Sequence, residues 1–227
     1  MLLPWTHQAN HTLISDLLDD AAPRELIRLA RLEPLLSAEL ITAANRLDPD
    51  DNGFDCLSVE TALRQLGAAS SLRLTQQLLG TRPVLNEPAL VSLARKLTEQ
   101  QTLLAKALTR HSAEMQASAD VVRAAVSLSC IGELSVLCAI QNFINYGQHP
   151  DAAELPGLLK KYASEYGNQL KIRLKLPFPL RQLIGALFVL PKTQVHKDQI
   201  IMRIAALETG LSDNPSELVQ LKRQIGQ

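Results

Sequence analysis

The sequence predicts an all-α protein, a compact bundle of about ten helices in two helical sub-bundles. Three observations predict it. Apolar residues recur at three- and four-residue spacing along nearly the whole chain, and no stretch alternates as a half-buried strand would. Proline, glycine and capping residues punctuate the pattern at helix-length intervals, which leaves only short connections. At 227 residues, 46% of them hydrophobic, the chain is long enough to bury a substantial core.

The first helix is expected from about Thr12 to Asp20, with Leu13, Ile14, Leu17 and Leu18 on one face. Pro23 suits the first turn of a helix continuing through Glu25 to Arg31. Glu33-Pro34 opens a third, whose inner face is Leu36, Leu40, Ala43, Ala44 and Leu47. Asp48 to Gly53 has the chemistry of a loop. It is no calcium loop, because it lacks alternating carboxylates and Val59 stands where the bidentate glutamate would be. Ser58 is placed to cap Val59 to Leu66, with Gly67 closing that helix, and a short helix from Ser70 to Leu79 should stop at Gly80.

The proline-bearing stretch Thr81 to Pro88 is the natural seam, separating sub-bundles at residues 1–80 and 89–227 of what reads as one unit. It is also the place expected for a hinge or groove. Beyond it come a long helix from about Ala89 to His111 and an apolar one from about Ala119 to Phe143. The loop Asn145 to Glu154 leads to an amphipathic helix ending near Leu174. Helices at Leu180 to Leu190, Lys197 to Thr209 and Pro215 to Ile225 follow, the last capped by Asp213 or Asn214.

Composition excludes several functions. Lys plus Arg equals Asp plus Glu at 23 each, so there is no basic excess for nucleic acid or for a polybasic membrane contact. Aromatic residues are 4%, too few for a base-stacking platform. Val121 to Ile140 is long enough to span a membrane, but Arg123 and Glu133 within it favour a core helix. No signal peptide is read at Met1 to Trp5, and three cysteines without CxxC spacing favour a reducing, cytoplasmic setting. Phosphate-binding glycine loops and the GxSxG elbow are absent. His7 and His11 are the one histidine pair at metal-ligand spacing, with no carboxylate pattern beside them. Cys130, inside an apolar run, reads as a buried structural thiol. Phe54, Trp5 and Phe178 are candidates for partner contacts as well as for core.

Four stretches together resemble the HDOD family, non-catalytic relatives of HD-domain phosphohydrolases in bacterial signalling proteins. Leu29 to Asn45, with Glu33-Pro34 and a leucine-rich helix ending in Ala44-Asn45, is similar to its early signature. Leu57 to Gly67 resembles its next helix, and Val126 to Leu134 its "LLHDIGxL" segment. Glu165-Tyr166-Gly167 through Leu176-Pro177 to Ala186 is similar to a later stretch, with Leu174 where tryptophan is usual. The resemblance spans roughly Ile14 to Leu187 and implies an HD-like bundle.

The departures carry the chemistry. The His-Asp pair that holds a divalent ion in an HD hydrolase reads Ser129-Cys130, and the downstream His-His positions read Leu187-Phe188. The helix before the pair offers Gln100, Gln101 and Thr102, with no histidine before His111. Gly132 survives, as a close helix crossing would require. No catalytic residue, metal or cofactor is therefore expected. The resemblance implies a regulatory domain that binds a signalling protein, such as a cyclic-di-GMP enzyme or a kinase module, or a second copy of itself. Two other readings stand beside it: a phosphohydrolase using His111, Asp120, Glu133 or His149 as substitute ligands, and binding of a nucleotide second messenger without hydrolysis.

Overall fold

The computed structural model describes residues 2–6, 23–47 and 55–226. Among these lie eleven α-helices and two 3-10 helices; the one β feature is an isolated bridge between Trp5 and Val84. The helices are α1 (Pro23–Leu32), α2 (Pro34–Leu47), α3 (Val59–Leu66), α4 (Ala68–Thr81), α5 (Pro88–Arg110), α6 (Ala119–Ser127), α7 (Ile131–Asn145), α8 (Leu155–Arg173), α9 (Phe178–Ala186), α10 (Lys197–Glu208) and α11 (Pro215–Gln224). The helix expected at Thr12 to Asp20, the loop Asp48 to Gly53, and residues His7, His11 and Phe54 lie outside the described residues.

Local chemistry sets the helix ends. The Ser58 hydroxyl accepts the Thr61 N–H at 3.2 Å and starts α3. Gly67 ends α3 at φ 76°, where a Cβ would be strained, and donates its N–H to Leu63 O. Asn214, of the two candidates, caps α11 by accepting the Glu217 N–H. Asn45 closes the gap after α2: its amide donates to Ile41 O and Cys56 O, and its carbonyl accepts the Cys56 N–H. Asn45 is thus a staple between α2 and the approach to α3.

Three expectations need correction. The helix expected at Leu180 to Leu190 begins at Phe178 and ends at Ala186, before Pro191 is reached. Gly80 does not stop α4, which runs on to Thr81 until Arg82 turns extended. The helix expected from Ala119 to Phe143 is broken: α6 ends at Ser127, Leu128–Cys130 forms a 3-10 turn, and α7 begins at Ile131. Of the apolar window in this stretch, 83% is buried, as in a core helix.

α6 lies at the centre, packed by α1, α2 and α3 on one side and by α5 and α9 on the other. α7 and α8 run together in the most extensive helix pair, and α10 rests on α5 and α9. One apolar core extends from Leu3 to Ala206, through residues on both sides of the seam. The seam itself is pinned. Trp5, fully buried, exchanges main-chain hydrogen bonds with Pro83 and Leu85 and donates its indole N–H to Leu78 O at 3.2 Å. Gln141 of α7 accepts the N–H groups of Asn86 and Glu87 at 2.9 and 3.1 Å. A smaller cluster of Ile204, Leu207 and Leu221 seats α11.

Candidate functional site

The site that the sequence singles out sits where α6 gives way to α7. A helix break frees backbone carbonyls, and buried carbonyls need donors. Gln101, from the middle of α5, supplies them: its amide nitrogen lies 3.2 Å from Val126 O, 2.7 Å from Ser127 O and 3.0 Å from the Cys130 sulfur. Ser129 turns its hydroxyl back onto Val126 O at 2.7 Å. The junction is therefore held by an uncharged amide and a hydroxyl.

Cys130 is buried, and burial pushes its thiol well above the ordinary range, with the Glu133 charge adding to the effect. Such a sulfur stays protonated at neutral pH and is neither a nucleophile nor a ready ligand. Leu187 is fully buried, and its carbonyl accepts from the Arg203 guanidinium at 3.0 Å. Phe188 is 41% exposed. Ser129 and Phe188 come together on the wall of one cavity, whereas Cys130 and Leu187 do not line it.

That cavity, of about 380 Å³, opens between α7, α8 and α9. Its geometry begins with two glycines. A Cβ on Gly132 would stand 2.1 Å from Ala163 O, and one on Gly167 would stand 3.3 Å from Gly132 Cα. At Gly132 only a hydrogen side chain lets α7 and α8 cross this closely, and at Gly167, its counterpart in α8, a methyl would be tight. Beside the crossing, Glu133 and Lys171 face the cavity. Burial raises the Glu133 carboxyl above its usual range despite its own backbone N–H and the Lys171 charge. Burial also lowers Lys171, the Arg181 charge lowers it further, and Glu133 only partly opposes this.

The residues weighed as substitute metal ligands lie apart. Buried His111 ends α5, with Nδ1 3.8 Å from Glu114 and Nε2 3.7 Å from Glu208. Asp120 pairs with Arg123 on the surface. Glu133 faces the first cavity, and His149 lines a second, of about 540 Å³, with Phe143, Tyr162 and Tyr166. Among the described residues no three of His, Cys, Asp and Glu group to hold a metal ion. Of the candidate partner contacts, Trp5 belongs to the core, and Phe178 is 61% exposed beneath the Arg181 guanidinium.

Sequence reasoning missed the roles of Gln101, Lys171 and Arg203. Gln101 carries a faint signal, since it stands on the helix where a ligand was sought. Lys171 and Arg203 carry none, because what surrounds each of them comes largely from other parts of the chain.

No protein-family model matches the sequence, and no curated protein matches it. Solved structures do. Two crystal structures of the MmoQ response regulator from Methylococcus capsulatus superpose with TM-scores of 0.67 and 0.68 at 14% and 13% identity. They cover 99% and 98% of this chain and 91% and 93% of theirs. A protein from Shewanella amazonensis, designated a metal-dependent phosphohydrolase, superposes with a TM-score of 0.52 at 14% identity, over 99% of this chain and 83% of its own. The chain has an HD-like fold. At this identity the likeness concerns the fold alone.

Proposed function

We propose that this chain is a non-catalytic regulatory domain of the HDOD type, cytoplasmic, acting in bacterial signal transduction by binding a protein partner. The observation that carries the reading is the α6–α7 junction. There a hydroxyl and a buried thiol, Ser129 and Cys130, stand at the positions that the sequence resemblance matches to the imidazole and carboxylate of an HD hydrolase, with the Gln101 amide against them. None of these groups grips a hard divalent cation at neutral pH, and no second cluster of ligands replaces them among the described residues. The similarity in fold to a protein named as a response regulator supports a place in signalling. Action would come through differential affinity: a partner that binds better in one of its states is held in that state.

The test has two arms. Purified protein is incubated with manganese or magnesium, desalted, and assayed for bound metal and for phosphomonoester turnover; neither is expected. Immobilised protein is then used to capture partners from source-cell lysate. A cyclic-di-GMP enzyme or kinase recovered this way is re-purified and titrated against the domain. Stoichiometric metal with chelator-sensitive turnover overturns the reading, and so does failure of every captured signalling protein to bind directly.

A further inference from the structure

The α7–α8–α9 cavity has a feature that the regulatory reading leaves unused. Lys171 is half-buried on its wall, and among the described residues its ammonium makes neither an ion pair nor a hydrogen bond. Glu133, the one acidic side chain lining the cavity, influences it through space but stands beyond ion-pair distance. Arg181, on α9, adds positive potential at Lys171, and its Nε is buried without a hydrogen-bond partner. Lys160 lines the same wall from solvent. Two cations on the wall and a third behind it thus face one carboxyl. Partly buried charges in this arrangement are costly unless something compensates them.

The rest of the lining divides: Ser129, Ser164 and Asn168 are polar, and an apolar strip runs beside them. Ile131, Leu159 and Ile184 form the inner surface, while Phe188 and Val189 lie at 41% and 71% exposure as apolar lips. A volume of about 380 Å³ falls at the small end of the range of roughly 300–1,000 Å³ usual for ligand sites. A ligand matching these walls carries one negative charge at one end and an apolar body at the other. The cavity shows a single deep ammonium, which suits one carboxylate.

We propose that this cavity binds a small monocarboxylate with a short aliphatic or aromatic body, its carboxylate on Lys171 and its body along Ile184, Phe188 and Val189. Binding here stands independently of any protein partner: the cavity can be occupied whether or not a partner docks elsewhere.

The test uses the whole chain and four probes: hexanoate, benzoate, 1-hexanol and inorganic phosphate. Binding is followed by isothermal titration and by thermal shift at neutral pH. Hexanoate or benzoate is expected to bind in the sub-millimolar range, with 1-hexanol and phosphate at least tenfold weaker. Lys171→Met, which removes an uncompensated charge and so leaves the fold intact, should weaken hexanoate at least tenfold. Gly185→Leu provides a second variant without touching charge. Gly185 lines the cavity and a Cβ there meets nothing within 4 Å, so a larger side chain fills the space and should abolish binding. Absence of carboxylate binding by the wild type overturns the proposal. Equal binding of 1-hexanol or phosphate overturns it too, as does undiminished binding by both folded variants.

Discussion

At the scale of single residues, the glycine crossing is the most exacting contact in the molecule. Adding one methyl to Gly132 places it 2.1 Å from Ala163 O and 3.0 Å from Ala163 C, and both are backbone atoms that cannot swing aside. Gly132→Ala is therefore expected to push α7 and α8 apart, at about 3 kcal/mol or more. Gly157, also in α8, is the control. A Cβ there meets nothing within 4 Å, so Gly157→Ala should stabilise by about 0.5–1 kcal/mol through lower entropy of the unfolded chain. Urea midpoints of the two variants are expected to move in opposite directions, and a neutral Gly132→Ala would show that the crossing is looser than drawn. Gly132 was legible in the sequence because a glycine in a helix interior wants a reason. The Gln101 role was not legible, since its three contacts lie 25 or more positions away and depend on a break that the sequence did not announce.

Among the elements, that break shows where pattern reading fails. Residues 128–130 contain no glycine or proline, and a 3-10 turn between two buried helices keeps the same run of apolar side chains. Periodicity cannot register it. The ends marked by Ser58, Gly67 and Asn214 were legible because a cap is a local event. The attachment of α11 was not. It depends on Arg203 of α10, whose guanidinium reaches Glu217 with two nitrogens at 2.8 and 2.6 Å, Leu187 O at 3.0 Å and Ser212 at 2.9 Å. The Arg203 hydrogen bond and charge hold the Glu217 carboxyl below its usual range, against a smaller opposing effect of burial. A carboxylate with a lowered folded-state pKa stabilises above its unfolded value, about 4.3, and loses that contribution as pH falls through the folded value. Glu217→Gln is expected to lower stability at neutral pH by about 1–2 kcal/mol and to converge with the wild type in acid. Denaturant midpoints measured from neutral pH down to about pH 3 read this directly. A constant gap across the series would mean that Glu217 acts through packing and not through its charge.

For the molecule as a whole, the question is whether the seam at residues 81–88 divides it. Composition suggested a division there, with a hinge or groove. The contacts around the seam bind its flanks to both halves: Trp5 to Leu78, Pro83 and Leu85, and Gln141 to Asn86 and Glu87. The core runs through without interruption from Leu3 to Ala206, so neither half can open without exposing apolar surface of the other. Cooperative unfolding follows when the main buried surface is shared. Trp5 provides the probe, since it is the single tryptophan, is fully buried and sits at the seam. Its fluorescence and the far-ultraviolet circular dichroism of all the helices are expected to change at the same urea concentration, in one transition. Were the seam a hinge between independently stable units, the two signals would separate, with Trp5 reporting only the first to unfold. The same coupling would carry a signal. A molecule bound between α7, α8 and α9 pulls on α7, and α7 holds the seam through Gln141, so occupancy should raise the midpoint reported by Trp5 as much as the one reported by the helices.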